Sequence, residues 1–256
     1  MILTLDVGNT QITMGLYDGG TLMFVSRLAT SPVHTCDQYA VEIKNILALY
    51  GFAPENIKGA AVSSVVPSAG HNISNAIRFL CGVTPVVIGP GVNTGLSIKI
   101  DNPAQLGADL IVGAVAAAVK YPLPAIIFDF GTATKISVLG PDGAFLGCAI
   151  TAGINISIEA LFQHTASLPP IVAEKPKHII GTNTVDSMRS GLFFGNIALI
   201  DGMVERIEEE LGQKATVIVT GGLSSHLRGQ TKREAIFDES LLLEGLRRVY
   251  KMNQGV

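Results

Sequence analysis

Asp6-Val7-Gly8-Asn9-Thr10-Gln11 returns, near the middle of the chain, as Asp129-Phe130-Gly131-Thr132-Ala133-Thr134. In both places the aspartate ends an apolar run, residues 2–5 and 125–128, with the length and character of a buried strand. A glycine two residues later lets the backbone approach a ligand closely. Asn9, Thr10 and Thr132 then add side-chain donors beside backbone N–H groups. Such a turn can cradle phosphate oxygens, and a strand-end carboxylate such as Asp6 suits Mg²⁺ held through water. One copy alone would be an ordinary hairpin. Two copies, separated by close to half the chain, mark an internal repeat.

The surrounding pattern repeats too. The first half predicts strands at 2–7, 12–17 and 22–28, with Asp18-Gly19-Gly20 as the hairpin turn. A helix at 37–50 ends at Gly51, and strand 60–64, helix 68–80 and strand 85–88 follow. Residues 102–119 read as one helix, capped by Asn102 with Pro103 at its first position. The second half restarts with strands at 125–130, 135–139 and 145–150, then helices at 154–162 and 185–211. Strand 216–220 runs into Gly221-Gly222, a turn able to lie against an adenosine, and a last helix spans 240–250. Pro122 and Pro124 place the boundary, giving domains 1–121 and 122–256 that face each other across a cleft. No Gly-x-x-x-x-Gly-Lys-Ser/Thr segment is present, and no Gly-x-Gly-x-x-Gly opens a helix after a strand, so neither a P-loop nor a dinucleotide fold is expected.

Composition narrows the function. With 48% hydrophobic and 15% charged residues the chain can bury a core. A formal net charge of -3 leaves no basic excess for neutralising phosphates, so no nucleic-acid partner is expected. The basic run Arg247, Arg248 and Lys251 reads as a solvated helix face. Three widely spaced cysteines suggest neither disulfides nor a zinc site, and reduced thiols fit a cytoplasmic protein. No uncharged apolar run reaches about 18 residues, so no membrane span is expected. The N-terminus has no basic region or cleavage signature.

Six segments in order carry a resemblance: Asp6-Val-Gly-Asn-Thr; Asp101-Asn-Pro with Gly107-Ala-Asp109; Asp129-Phe-Gly-Thr-Ala-Thr; Thr165-Ala-Ser-Leu-Pro; Thr184-Val-Asp-Ser-Met; and Thr220-Gly-Gly-Leu. Together they resemble type III pantothenate kinase from residue 2 to about residue 250. The resemblance implies two similar α/β domains of the actin, sugar-kinase and heat-shock ATPase fold, which is ribonuclease H-like, with an interdomain cleft. It implies ATP-dependent phosphorylation of pantothenate at the first step of coenzyme A synthesis. Asp6, Val7, Gly8, Asn9, Thr10, Gln11, Ile12 and Thr13 would contact ATP phosphates and Mg²⁺, and Thr132 would contact ATP. Asp109 would be the general base, with Ile100, Gly107, Ala108, Leu110 and Thr184 also on the pantothenate side. Asp129 would bind a monovalent cation, K⁺ or NH₄⁺. A homodimer would complete the substrate site across its interface.

The chain departs from that pattern at four places. Leu110 stands where the family has Arg, which removes a fixed cation able to bind substrate or phosphate. Lys135 replaces a threonine, and its ammonium is expected to reach the cation site at Asp129 or the phosphates. The segment Gly147-Cys-Ala-Ile-Thr-Ala-Gly153 lacks a Gly and a Pro common there, and Ile100 replaces a frequent Tyr. These changes leave two alternatives open: a nucleotide-binding paralogue with impaired catalysis and a regulatory role, and a kinase for another small hydroxylated acceptor.

Overall fold

The computed structural model describes residues 1–254, with residues 225 and 226 described by their backbone alone. The first part of the chain forms β1 (Ile2–Val7), β2 (Gln11–Asp18), β3 (Thr21–Ala29), α1 (Cys36–Leu49), β4 (Gly59–Ser64), α2 (Pro67–Cys81), β5 (Val86–Val87) and α3 (Ala108–Lys120). The second part forms β6 (Ala125–Phe130), β7 (Ala133–Leu139), β8 (Phe145–Ala152), α4 (Ile154–Gln163), α5 (Thr184–Leu211), β9 (Thr216–Thr220), β10 (Ile236–Phe237) and α6 (Leu241–Asn253).

The repeat in sequence is a repeat in topology. One sheet has the order β3-β2-β1-β4-β5 and the other β8-β7-β6-β9-β10. In each, the first strand pairs antiparallel with the second and parallel with the fourth. Hairpins suit the antiparallel pairs, and the parallel ones need helical crossovers. The strand and helix cores predicted from hydrophobic periodicity all form. The two-residue β10 was not anticipated, because so short an apolar run carries no period.

The chain divides into two units. The first comprises residues 1–97, 101–119 and 240–256; the second comprises 98–100 and 120–239. This division departs from a single cut between 121 and 122 at residues 98–100, at residues 120–121 and at the far end, where α6 belongs with the first unit. The reason at the far end is apolar: Leu243, Leu246 and Val249 of α6 form one buried cluster with Tyr17, Ala61, Val112 and Val115. On the other face of the first sheet, Leu3, Leu5, Ile12 and Met14 meet Tyr39 and Ile43 of α1 and Ile73 and Ile77 of α2. A sheet covered on both faces explains why β1 is almost continuously apolar.

Two other expectations change. Residues 102–119 do not make one helix. Asn102 caps a short 3₁₀ turn, Pro103–Gln105, Leu106 is extended, and α3 starts afresh at Ala108. The basic run on α6 is not a solvated face at Arg247. Its guanidinium is buried, grips both oxygens of Glu244 at 2.6 and 2.8 Å, and lies 5.4 Å from the centre of the Tyr17 ring. Burial opposes ionisation of Glu244, but hydrogen bonds and charge from Arg247 and Arg248 outweigh it and hold the carboxyl below the usual glutamate range.

In the second unit, Phe128, Phe130 and Ile136 pack beneath Ile154 of α4 and Phe193, Ile197 and Ile200 of α5. Asp238 receives Lys120 Nζ at 2.6 Å and the Tyr121 hydroxyl at 2.8 Å. Burial and Asp238 push the Tyr121 hydroxyl up. Burial opposes the charge on Lys120, yet Asp238 and Tyr121 hold its ammonium above the usual lysine range.

Candidate functional site

Strand register fixes the first motif. Asp6 lies opposite Thr13 on β2 and beside Ser63 on β4, and the Ser63 hydroxyl donates to its carboxylate. The Gly8 amide donates to Gln11 O at 3.0 Å and closes the turn. Thr30 ties the same turn down, its hydroxyl donating to Gly8 O at 2.7 Å and its amide to Thr10 O at 3.0 Å. Asn9, Thr10 and Gln11 are exposed, whereas the side chains of Val7 and Ile12 are core. Any ligand contact by those two would use the backbone. Ser63 was missed from sequence, since only the parallel pairing of β1 with β4 brings it to Asp6.

The helix break gives Asp109 its position. It stands in the first turn of α3, where unpaired N–H groups and the helix dipole favour a negative charge. Its Oδ1 accepts from the Leu110 amide at 2.8 Å. A Cβ on residue 107 would come within 2.6 Å of that same oxygen, so Gly107 leaves the carboxylate its room. Gly107, Ala108, Asp109 and Leu110 are all half-buried.

The second motif belongs to the second unit. Gly131-Thr132 joins β6 to β7, and two other glycine turns press on its backbone. A Cβ at 153 would fall 2.2 Å from Thr132 O, and one at 221 would fall 2.5 Å from Phe130 O. Gly221 also has φ +96, which side chains rarely adopt. The Thr220-Gly221 turn, expected to admit an adenosine, thus lies against protein backbone on that side. Asp129 stands directly across from Lys135 in the β6–β7 ladder. Lys135 Nζ lies 2.7 Å from Asp129 Oδ2, with the two side chains 17% and 15% exposed. The lysine expected to reach Asp129 does so.

The remaining acceptor-side candidates also sit in the second unit. Thr184 is the first residue of α5, beside its cap Asn183, and lines an open cavity with Leu168, Gly181 and Met188. Ile100 is half-buried on a segment held to the second sheet, where the Lys99 amide donates to Phe145 O at 2.8 Å. It is therefore anchored to a different unit from Asp109. Among the described residues no group of three or more His, Cys, Asp or Glu could hold a metal ion, and no helix is long and apolar enough to cross a membrane.

The family model for type III pantothenate kinase matches residues 2–206. Two relatives named type III pantothenate kinase cover nearly the same length. The one from Halalkalibacterium halodurans is 42% identical over 99% of this chain and 100% of its own. The one from Exiguobacterium sibiricum is 44% identical over the same shares. Solved structures share the fold at much lower identity. The activator of 2-hydroxyisocaproyl-CoA dehydratase from Clostridium difficile, solved with bound ADPNP, has a TM-score of 0.55 at 14% identity, covering 100% of this chain and 97% of that one. The ethanolamine utilization protein EutJ from Carboxydothermus hydrogenoformans has a TM-score of 0.52 at 17% identity, covering 97% and 89%. The fold is the two-domain α/β ATPase fold of the actin and sugar-kinase kind.

Proposed function

Because the chain belongs to the type III pantothenate kinase family, we propose that it transfers the terminal phosphoryl group of ATP to the primary hydroxyl of pantothenate. The product is 4′-phosphopantothenate, at the first step of coenzyme A synthesis. The observation that carries this reading is the 42–44% identity to kinases of that name along 99% of the chain.

Phosphoryl transfer asks the protein for positioning and charge neutralisation rather than covalent help. The pantothenate oxygen attacks the γ-phosphorus, the bond to the bridging oxygen of ADP breaks, and the hydroxyl proton passes to Asp109. A carboxylate in the first turn of a helix suits that acceptor role. The exposed Asn9, Thr10 and Gln11 turn supplies donors for phosphates, with Thr132 of the second motif as a further ATP contact. Asp6, a hard oxygen donor oriented by Ser63, fits Mg²⁺, which would neutralise charge on the phosphates. Thr184 and Ile100 serve the acceptor. The same reading carries a homodimer completing the acceptor site, and a cytoplasmic location. A monovalent cation on Asp129 does not fit, because that carboxylate already holds the Lys135 ammonium.

Leu110 favours a second reading, a nucleotide-binding paralogue that lost catalysis with the missing guanidinium. One assay separates them: ADP release with ATP, Mg²⁺ and pantothenate, on the natural protein, Asp109→Asn and Leu110→Arg. Pantothenate-dependent turnover that falls about 10²–10⁴-fold in Asp109→Asn supports the kinase. No turnover in the natural protein, with recovery in Leu110→Arg, overturns it in favour of the paralogue.

A further inference from the structure

The internal repeat supplies its own comparison for Lys135. In the first sheet the residue across from the motif aspartate is Thr13, a neutral hydroxyl facing Asp6. In the second sheet the same ladder position holds Lys135, facing Asp129. Cross-strand partners project from the same face of a sheet, so the lysine has a short and direct path to the carboxylate. The result is an ion pair at 2.7 Å in which both side chains are largely shielded from water. The partner of Lys135 stands one residue before the Phe130-Gly131-Thr132 stretch against which the glycine turns at 153 and 221 are packed. The pair therefore sits at the foot of the turn expected to meet ATP.

A dissolved cation on such a carboxylate must be captured from solution and stripped of water. A lysine head is an alkylated ammonium ion already held there by the strand, which removes the entropy of capture. We propose that Lys135 is a tethered replacement for a monovalent cation at Asp129, so that this chain works without added potassium or ammonium. The proposal rests on the kinase reading for its rate effect, but not for its cation-binding effect.

The test uses the natural protein, Lys135→Thr and the isosteric-length neutral variant Lys135→Met. Each is assayed for ADP release, and for its thermal unfolding midpoint, in chloride salts of potassium, ammonium and tetramethylammonium at matched ionic strength. The natural protein is expected to turn over equally in all three salts, with one unfolding midpoint. Lys135→Thr is expected to lose about 10²–10³-fold in tetramethylammonium and to regain it in potassium or ammonium. Its midpoint should rise with those two salts alone, as ligand binding to the folded state requires. Lys135→Met, which leaves the site blocked and neutral, should lose rate without rescue. A purely structural lysine would give no salt rescue in either variant. Potassium activation of the natural protein, or a Lys135→Thr variant equally active in tetramethylammonium, overturns the proposal. Absence of turnover in every protein and salt would instead refute the kinase reading. The midpoints would still decide the cation site, since a potassium-dependent rise in the natural protein refutes the tethered ammonium.

Discussion

Replacing Gly245 by alanine tests how Asp109 is held. Gly245 sits on α6 directly against the backbone of α3, and a Cβ there would fall 1.9 Å from Val112 O and 2.6 Å from Val112 C. Ordinary contact begins at 3.4 Å. Rigid backbone cannot yield as a side-chain tip does, so the two helices must part by about 1.5 Å. Overpacking of this kind costs about 1–3 kcal/mol, against a gain of up to about 1 kcal/mol from replacing a helical glycine. Val112 lies one turn after Asp109 on the same helix, so the base moves with it. A displacement of about 1 Å at the reacting groups can cost about 10²-fold in rate. Urea unfolding and kcat for pantothenate phosphorylation measure the two effects. Gly113→Ala is the control, because its Cβ would meet only Leu242 Cδ1, at an ordinary 3.8 Å. It should gain about 0.5–1 kcal/mol by helix propensity and keep its rate. If Gly245→Ala is as stable and as active as Gly113→Ala, the backbone contact does not position the base.

Two further predictions concern single groups. Gly107→Ala should lower kcat by about tenfold or more with little change in stability, because its methyl would displace the carboxylate oxygen now 2.6 Å from that point; unchanged kcat in the ADP-release assay would refute this. Glu244→Gln should lose about 2–3 kcal/mol at neutral pH, less than the loss for a fully buried pair because both side chains keep about a tenth of their exposure. The Glu244 carboxyl is held below its usual range, so its contribution is present above about pH 4.3 and fades as pH falls beneath it. Urea titrations of both proteins should therefore converge in acid, and a gap that stays constant would show that the charge is not what stabilises.

The parts legible in sequence were those with a local signal. Asp6-Val-Gly and Asp129-Phe-Gly announce themselves because a strand, a carboxylate and a turn are contiguous, and hydrophobic period two or 3.6 marks each long element. The break before α3 was hidden by Asn102-Pro103, a strong helix-start signal that initiates only one 3₁₀ turn. Gly107 was the available clue. The burial of Arg247 had only half a local cue: Glu244 one turn earlier was a visible ion-pair partner, but Tyr17 comes from the other end of the chain. Ser63 became visible only through a parallel pairing, which no adjacent residue encodes. Lys135 was readable as a departure, but its partner needed the register of the β6–β7 hairpin.

The return of α6 to the first sheet also orders events during synthesis. The second unit is finished when residue 239 emerges, while the first still lacks the helix that covers Tyr17, Ala61 and Val112. At about 5–20 residues per second, the stretch from 120 to 239 keeps that apolar face bare for on the order of ten seconds. The half made first is thus completed last, and during that interval the nascent chain offers chaperones a defined patch on β1, β2 and β4.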